Sequence, residues 1–141
     1  MPITPYLVFN GHCDEALEFY RKTLHAEVTM LMRFKDNPEP PPAGCLPAGI
    51  ENHVMHSEVH IGDAVIMCSD GAHTDHPSFQ GFSLNLSFSD VAHSQKAFNA
   101  LAEAGGKILM PFGKTFYSPG FGMVTDRFGV SWMLYTIPPA K

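Results

Sequence analysis

Charge is scarce in this chain. Lys, Arg, Asp and Glu make up 16% of its 141 residues, against about 25% in an ordinary soluble protein. Its surface must lean on His, Ser, Thr and Asn, or be covered in part by a partner. The 9 basic residues are scattered and outnumbered by 14 acidic ones. No run of them makes the electrostatic footprint that nucleic acid requires. No apolar stretch approaches the roughly 20 residues of a membrane helix. The opening segment, MPITPYLVFNGHCDEALEFY, lacks the basic start and apolar run of a secretory signal. Cys13, Cys45 and Cys68 are odd in number and far apart, which argues against a disulfide framework and for a reducing compartment. The expectation is a cytoplasmic protein with neither nucleic acid nor membrane as partner. No G-x-S-x-G nucleophile elbow is present either.

What the chain does have is apolar content, 45% of its residues, enough for one compact domain or two small modules. Thr4–Phe9 reads as a strand ended by Asn10-Gly11, and Cys13–Leu24 as a helix with Asp14 and Glu15 at its positive end and Arg21 and Lys22 at its negative end. Glu27–Phe34 reads as a strand. The stretch from Lys35 to Asn52 holds Pro38, Pro40, Pro41, Pro42 and Pro47 and reads as a long irregular loop. Val54–Ile61 and Ala64–Ser69 flank Gly62-Asp63 as a hairpin. After a polar linker, Gly71–Ser78, the pattern restarts. Phe82–Phe88 reads as a strand, and Asp90 as the cap of a helix from Val91 to Ala104 closed by Gly105-Gly106. Lys107–Met110, Gly122–Thr125 and Val130–Thr136 read as strands.

The restart is an internal repeat. An offset of 79 residues lays Leu7 on Leu86, Phe9 on Phe88 and Phe19 on Phe98. Each half reads strand, helix, strand, strand, strand, which gives modules of about 1–75 and 76–141. Alternation assigns the faces. Phe82, Leu84, Leu86 and Phe88 should pack under the helices, and Ser83, Asn85, Ser87 and Ser89 face away. By the repeat, Leu7 and Phe9 face the helix while Thr4, Tyr6 and Val8 do not. In the last strand Val130, Trp132 and Leu134 oppose Ser131, Met133 and Tyr135.

The densest cluster of chemically able residues is His56-x-Glu58-x-His60. On a strand these three share one face, and two imidazoles with a carboxylate can chelate a divalent metal. The same row also suits an amphipathic strand showing polar groups to water or to a cavity. Both readings stand. His73, His76, Asp70 and Asp75 crowd the linker, as polar residues do in solvated turns. His12, His25 and His93 read as helix-end or surface residues. Cys68 falls on the helix-facing row as a small hydrophobe, and Cys45 lies in the Pro-rich loop. Asp126-Arg127 reads as the fixture of a turn.

The segments PYLVFNG (Pro5–Gly11), EALEFY (Glu15–Tyr20), HSEVHIGDAVIMCSD (His56–Asp70) and TFYSPGFGMVTDRFGVSWML (Thr115–Leu134) resemble the PhnB-like branch of the vicinal oxygen chelate superfamily. That superfamily includes glyoxalase I, extradiol dioxygenases and bleomycin-resistance proteins. The resemblance covers essentially the whole chain. It implies an α+β fold of two βαβββ modules forming a curved, cup-like mixed sheet with helices on the outer face. It also implies frequent pairing as homodimers. Its enzymes hold one divalent metal through His, Gln or Glu at four sheet positions, which by alignment fall here on Thr4, Met67, Ser83 and Met133. None of these is a usual ligand for a hard or borderline divalent ion. Two thioethers and two hydroxyls would suit soft copper at best. The branch has also been labelled demethylubiquinone-methyltransferase-like and tied to phosphonate metabolism, and the residues carry neither label. A methyltransferase would show a Gly-rich loop after its first strand, whereas the G-x-G here is Gly120-Phe121-Gly122, late and followed by a strand.

Three functions follow as expectations. In the first, the sheet cup binds a small molecule with no cofactor, the late loop closing over the open face. Tyr6, Phe116, Tyr117 and Tyr135 stack on or hydrogen-bond the ligand; His56, Glu58, Ser83 and Asn85 supply polar contacts, and Met67 and Met133 line the floor. In the second, a divalent metal held by His56, Glu58 and His60 acts as Lewis acid in an isomerase, lyase or dioxygenase reaction. In the third, the chain is a dimeric structural or interaction protein whose open face is filled by its partner, with Phe116 and Tyr117 in the core or at the interface.

Overall fold

A computed structural model describes residues 2–39, 49–71 and 77–139. The chain divides into two compact units, Met1–Pro77 and Ser78–Lys141. In the first, β1 (Tyr6–Val8) leads into α1 (Cys13–Leu24), then β2 (Glu27–Arg33), a single 3-10 turn at Phe34–Asp36, β3 (Val54–Ile61) and β4 (Ala64–Ser69). In the second, β5 (Leu84–Phe88) leads into α2 (Val91–Ala102), then β6 (Lys107–Gly113), β7 (Phe121–Thr125) and β8 (Ser131–Thr136). Each unit has one four-stranded mixed sheet, in the order β1-β4-β3-β2 and β5-β8-β7-β6. The first and last strands of each unit pair in parallel, and the other pairs are antiparallel. Two βαβββ units with identical strand order and direction make an α+β, glyoxalase-like fold.

Local chemistry explains the elements. Ala16, Leu17 and Tyr20 recur at helical spacing and are buried beneath α1 with Cys13. α1 ends at His25, whose backbone is left-handed (φ 55°) and whose N–H returns to the Tyr20 carbonyl. β3 and β4 join through Gly62-Asp63, and Gly62 supplies the positive φ of 59° that a two-residue turn needs. Trp132 and Leu134 of β8 and Val124 of β7 are fully buried under α2 together with Phe98 and Leu101.

Several sequence expectations are corrected. Phe34 opens the 3-10 turn instead of extending β2. β6 runs through Pro111 to Gly113, three residues further than expected, because a register shift between Met110 and Gly113 accommodates the proline at the sheet edge. The apolar row of β5 is only half-buried, and Phe82, before the strand, is exposed. β5 is an edge strand, and α2 packs mainly over β7 and β8. The offset of 79 holds for β1 and β5 but fails in the helices, where it would set buried Leu17 on exposed Lys96. The buried stripes match at an offset of 81, Leu17 on Phe98 and Tyr20 on Leu101. Cys45, His73, Asp75, His76 and the prolines at 40–42 and 47 lie outside the described residues.

Two buried carboxylates hold the chain where secondary structure stops. Asp70, directly after β4, accepts the backbone N–H groups of Gly11 and Cys13 on Oδ1 and of Val54 on Oδ2, each at 2.8 Å. Asp126 accepts the N–H groups of Phe128 and Val130 on Oδ1 and the Trp132 indole N–H on Oδ2 at 2.9 Å. Such carboxylates are tolerated in a core because several donors meet their lone pairs. Asp126 thus fixes the turn before the last strand, as its sequence position suggested.

Candidate functional site

Alternation along β3 buries Ser57, Val59 and Ile61 and leaves His56, Glu58 and His60 half-exposed on the face turned away from α1. Strand pairing extends that face sideways. Tyr6, Met67, Glu58 and Met30 are successive partners across β1, β4, β3 and β2. His56 stands opposite Met32, and His60 between Glu27 and Val65. Tyr6 crosses to β3. Its hydroxyl meets His56 Nδ1 at 3.0 Å, and the two rings stack with centroids 5.6 Å apart at 26°. The hydroxyl donates to the ring nitrogen or accepts from it according to tautomer.

The corresponding face of the second unit carries a row of Asn85, Met133, Met123 and Met110 across β5, β8, β7 and β6. The neighbouring row is Ser87, Tyr135 and Phe121. Asn85 donates its side-chain N–H to Ser87 Oγ at 3.1 Å. Tyr117 stands edge-on to Phe121 at 5.4 Å, and Phe121 edge-on to Tyr135 at 6.5 Å. Phe116 touches Tyr117 at 4.9 Å but is otherwise fully exposed at the loop tip.

The expected residues therefore gather in two places. Tyr6, His56, Glu58 and Met67 come together on the first sheet. Asn85, Met133, Tyr135 and, through Phe121, Tyr117 come together on the second. Thr4 and Ser83 precede β1 and β5. Met30, Met32, Met110, Met123 and Phe121 escaped the sequence reading. Alternation within Phe121–Thr125 would have found Met123, but the shift beside Pro111 hides the phase of Met110.

Among the described residues no three His, Cys, Asp or Glu side chains are gathered so as to hold a metal ion, His56, Glu58 and His60 included. Thr4, Met67, Ser83 and Met133, with two hydroxyls and two thioethers, do not fit a hard divalent ion. Cys13 and Cys68 are buried and unpaired in any disulfide. Burial pushes the Cys68 thiol up to about 12. Burial raises Cys13 further, and the neighbouring Cys68 and Asp70 add to the rise. Neither thiol is a nucleophile near neutral pH.

The chain is similar to known proteins. The family model described as 3-demethylubiquinone-9 3-methyltransferase matches residues 1–135. Protein YjdN of Escherichia coli (strain K12) is 37% identical over 142 residues, spanning 97% of this chain and 96% of that protein. Among solved structures, protein PA1353 from Pseudomonas aeruginosa is 38% identical with a TM-score of 0.83, covering 97% of this chain and 98% of that one. A Bacillus cereus structure titled as a putative 3-demethylubiquinone-9 3-methyltransferase, PhnB protein, is 29% identical with a TM-score of 0.77, covering 96% and 99%. With its two βαβββ units the chain belongs to this PhnB-like family, and it shares the fold of the glyoxylase/bleomycin resistance protein/dioxygenase domain from Frankia sp. EAN1pec.

Proposed function

We propose that the protein binds a small molecule on the helix-free face of its first sheet without the superfamily's divalent metal. The observation that carries this reading is the Tyr6–His56 pair. Two rings that stack and share a hydrogen bond sit half-exposed on a strand face, beside Met67 and the Glu58 carboxylate. Their mutual contact fixes both rings before any ligand arrives, which lowers the entropy cost of binding. A flat ring bearing a hydrogen-bonding group suits that surface, with methionine adapting to its outline. Methyl transfer finds less support, because β1 joins α1 through residues 9–12, where Gly11 is the only glycine.

The reading includes a reducing compartment, in keeping with the two free buried thiols. It also includes a homodimer, in keeping with the sparse charge and the fully exposed Phe116. Sedimentation of the chain and of Phe116→Asp tests the dimer; a monomer in both sinks it. A screen of ring-bearing fragments by NMR tests the binding. The expected result is hits that perturb Tyr6 and His56 and that weaken about tenfold in Tyr6→Phe or His56→Ala, the 1.4 kcal/mol of a lost hydrogen bond. Hits indifferent to both substitutions, or no hits, overturn it.

A further inference from the structure

Six of the chain's eight methionines lie on the helix-free rows: Met30, Met32 and Met67 in the first sheet, Met110, Met123 and Met133 in the second. The second set differs from the first in being uninterrupted. We propose that Met110, Met123 and Met133 form a thioether site for a soft monovalent cation, Cu(I) being the biological one.

The register carries the argument. Met110 pairs with Met123 and Met123 with Met133, so three adjacent strands place methionine side by side. Directly opposed residues hold their Cβ atoms about 4.5–5.5 Å apart. The methionine side chain, with its rotatable bonds, lets three sulfurs from such positions converge on one ion. The face is known from the packing. Val124, Trp132 and Leu134 are buried under α2, so Met123 and Met133 point away from it. Register shifts on both sides of Met110 leave it opposite Met123 on the methionine side, while Ile108 pairs with Val124 and Phe112 lies against Phe98 of α2. All three are half-exposed, within reach of an ion from solvent.

Donor chemistry sets the class of ion. Thioethers are neutral and soft, and they select Cu(I) over oxygen-seeking Mg²⁺, Ca²⁺ or Mn²⁺. No charged side chain occupies the row, which ends in the Asn85 amide. A single positive charge is less costly to desolvate there than a double one. Phe121 and Tyr135 in the next row offer ring faces to a cation. The first sheet provides an internal contrast, since its middle methionine is replaced by Glu58, between Met30 and Met67. The site is independent of the ligand reading, which is tested at Tyr6 and His56.

The test uses the full chain labelled with [methyl-¹³C]methionine, with accessible thiol blocked by iodoacetamide and Ag⁺ as a redox-silent probe. The Met110, Met123 and Met133 methyl signals, assigned by single Met→Leu substitutions, are expected to shift together and saturate with a single Ag⁺. The Met30, Met32 and Met67 signals stay in place. Met123→Leu and Met133→Leu keep the apolar volume and should each weaken Ag⁺ binding about tenfold or more, since even outer partners of metal ligands are worth that much. Zn²⁺ and Mg²⁺ should move none of the three. Signals that do not shift, that shift equally in both sheets, or that still saturate with unchanged affinity in the Leu variants overturn the site.

Discussion

The two helices begin under different arrangements. At α1, His12 provides no side-chain cap, and the N–H groups of Gly11 and Cys13 are met by Asp70, which lies more than fifty residues further along the chain. At α2, Asp90 stands directly before the helix and accepts the His93 N–H itself. The second cap forms with the helix. The first exists only once β4 has paired with β1, so the start of α1 is coupled to completion of its sheet. The turns reverse the contrast. The first hairpin closes tightly on Gly62-Asp63, while the second is longer and is held from inside by Asp126.

Asp70→Ala should produce the largest change. It strands three backbone donors, two of them buried, and should cost about 3–5 kcal/mol in denaturant unfolding. Asp126→Ala strands its donors within a single turn and should cost about 2–4 kcal/mol. If Asp126→Ala proves the costlier, the long-range cap matters less than the local turn and the comparison fails. Next comes the pair Gly122 and Ser57, which occupy matching places in β7 and β3. A Cβ on Gly122 would lie 2.7 Å from the Phe98 ring, so Gly122→Ala should destabilise by about 1–3 kcal/mol and Phe98→Leu should relieve part of it. Ser57→Ala removes a 2.7 Å hydrogen bond to the Cys68 carbonyl and a side-chain contact with the Cys13 thiol, worth about 1 kcal/mol. Equal costs would show that α2 yields where α1 does.

Smaller still is the local cap. Asp90→Ala should lower Tm by a few degrees while His12→Ala leaves it unchanged. His93's backbone N–H, and then its side chain, hold the Asp90 carboxyl below its usual 3.8. The contribution of Asp90 is therefore complete above that value and is lost as pH falls through the lower folded one. The gap between wild type and Asp90→Ala should close in acid; a gap that persists would show that the charge is not the source. The smallest effect is chemical. Cys13 and Cys68 should resist thiol reagents at neutral pH and react only on unfolding. Fast labelling of either in the native protein would show that the helix–sheet seam of the first unit opens readily.

What could be read from the sequence follows the range of the interaction. α1 was legible to the residue, because its stripe, its dipole-matched charges and the break after Leu24 are all local. Asp90 was legible for the same reason. Asp70 read as part of a solvated linker, since nothing near it reveals the donors it meets. Tyr6 and His56 were each singled out, but their bond spans fifty positions and depends on the β1–β4–β3 register. The methionine rows stayed hidden because each member comes from a different strand. The repeat located β5 correctly and misled in α2, where two residues of shift leave strand alternation intact but rotate the helical stripe.

Pro111 has a consequence beyond the register of β6. That strand lies at the open edge of its sheet, with Ile108 and Leu109 about half exposed. An apolar edge with a full set of backbone donors is a template for another chain's strand, and so for aggregation. Proline removes one donor from the strand, and the accompanying shift twists the rest out of line. The residue that obscured β6 in the sequence is thus also its safeguard against joining sheets end to end.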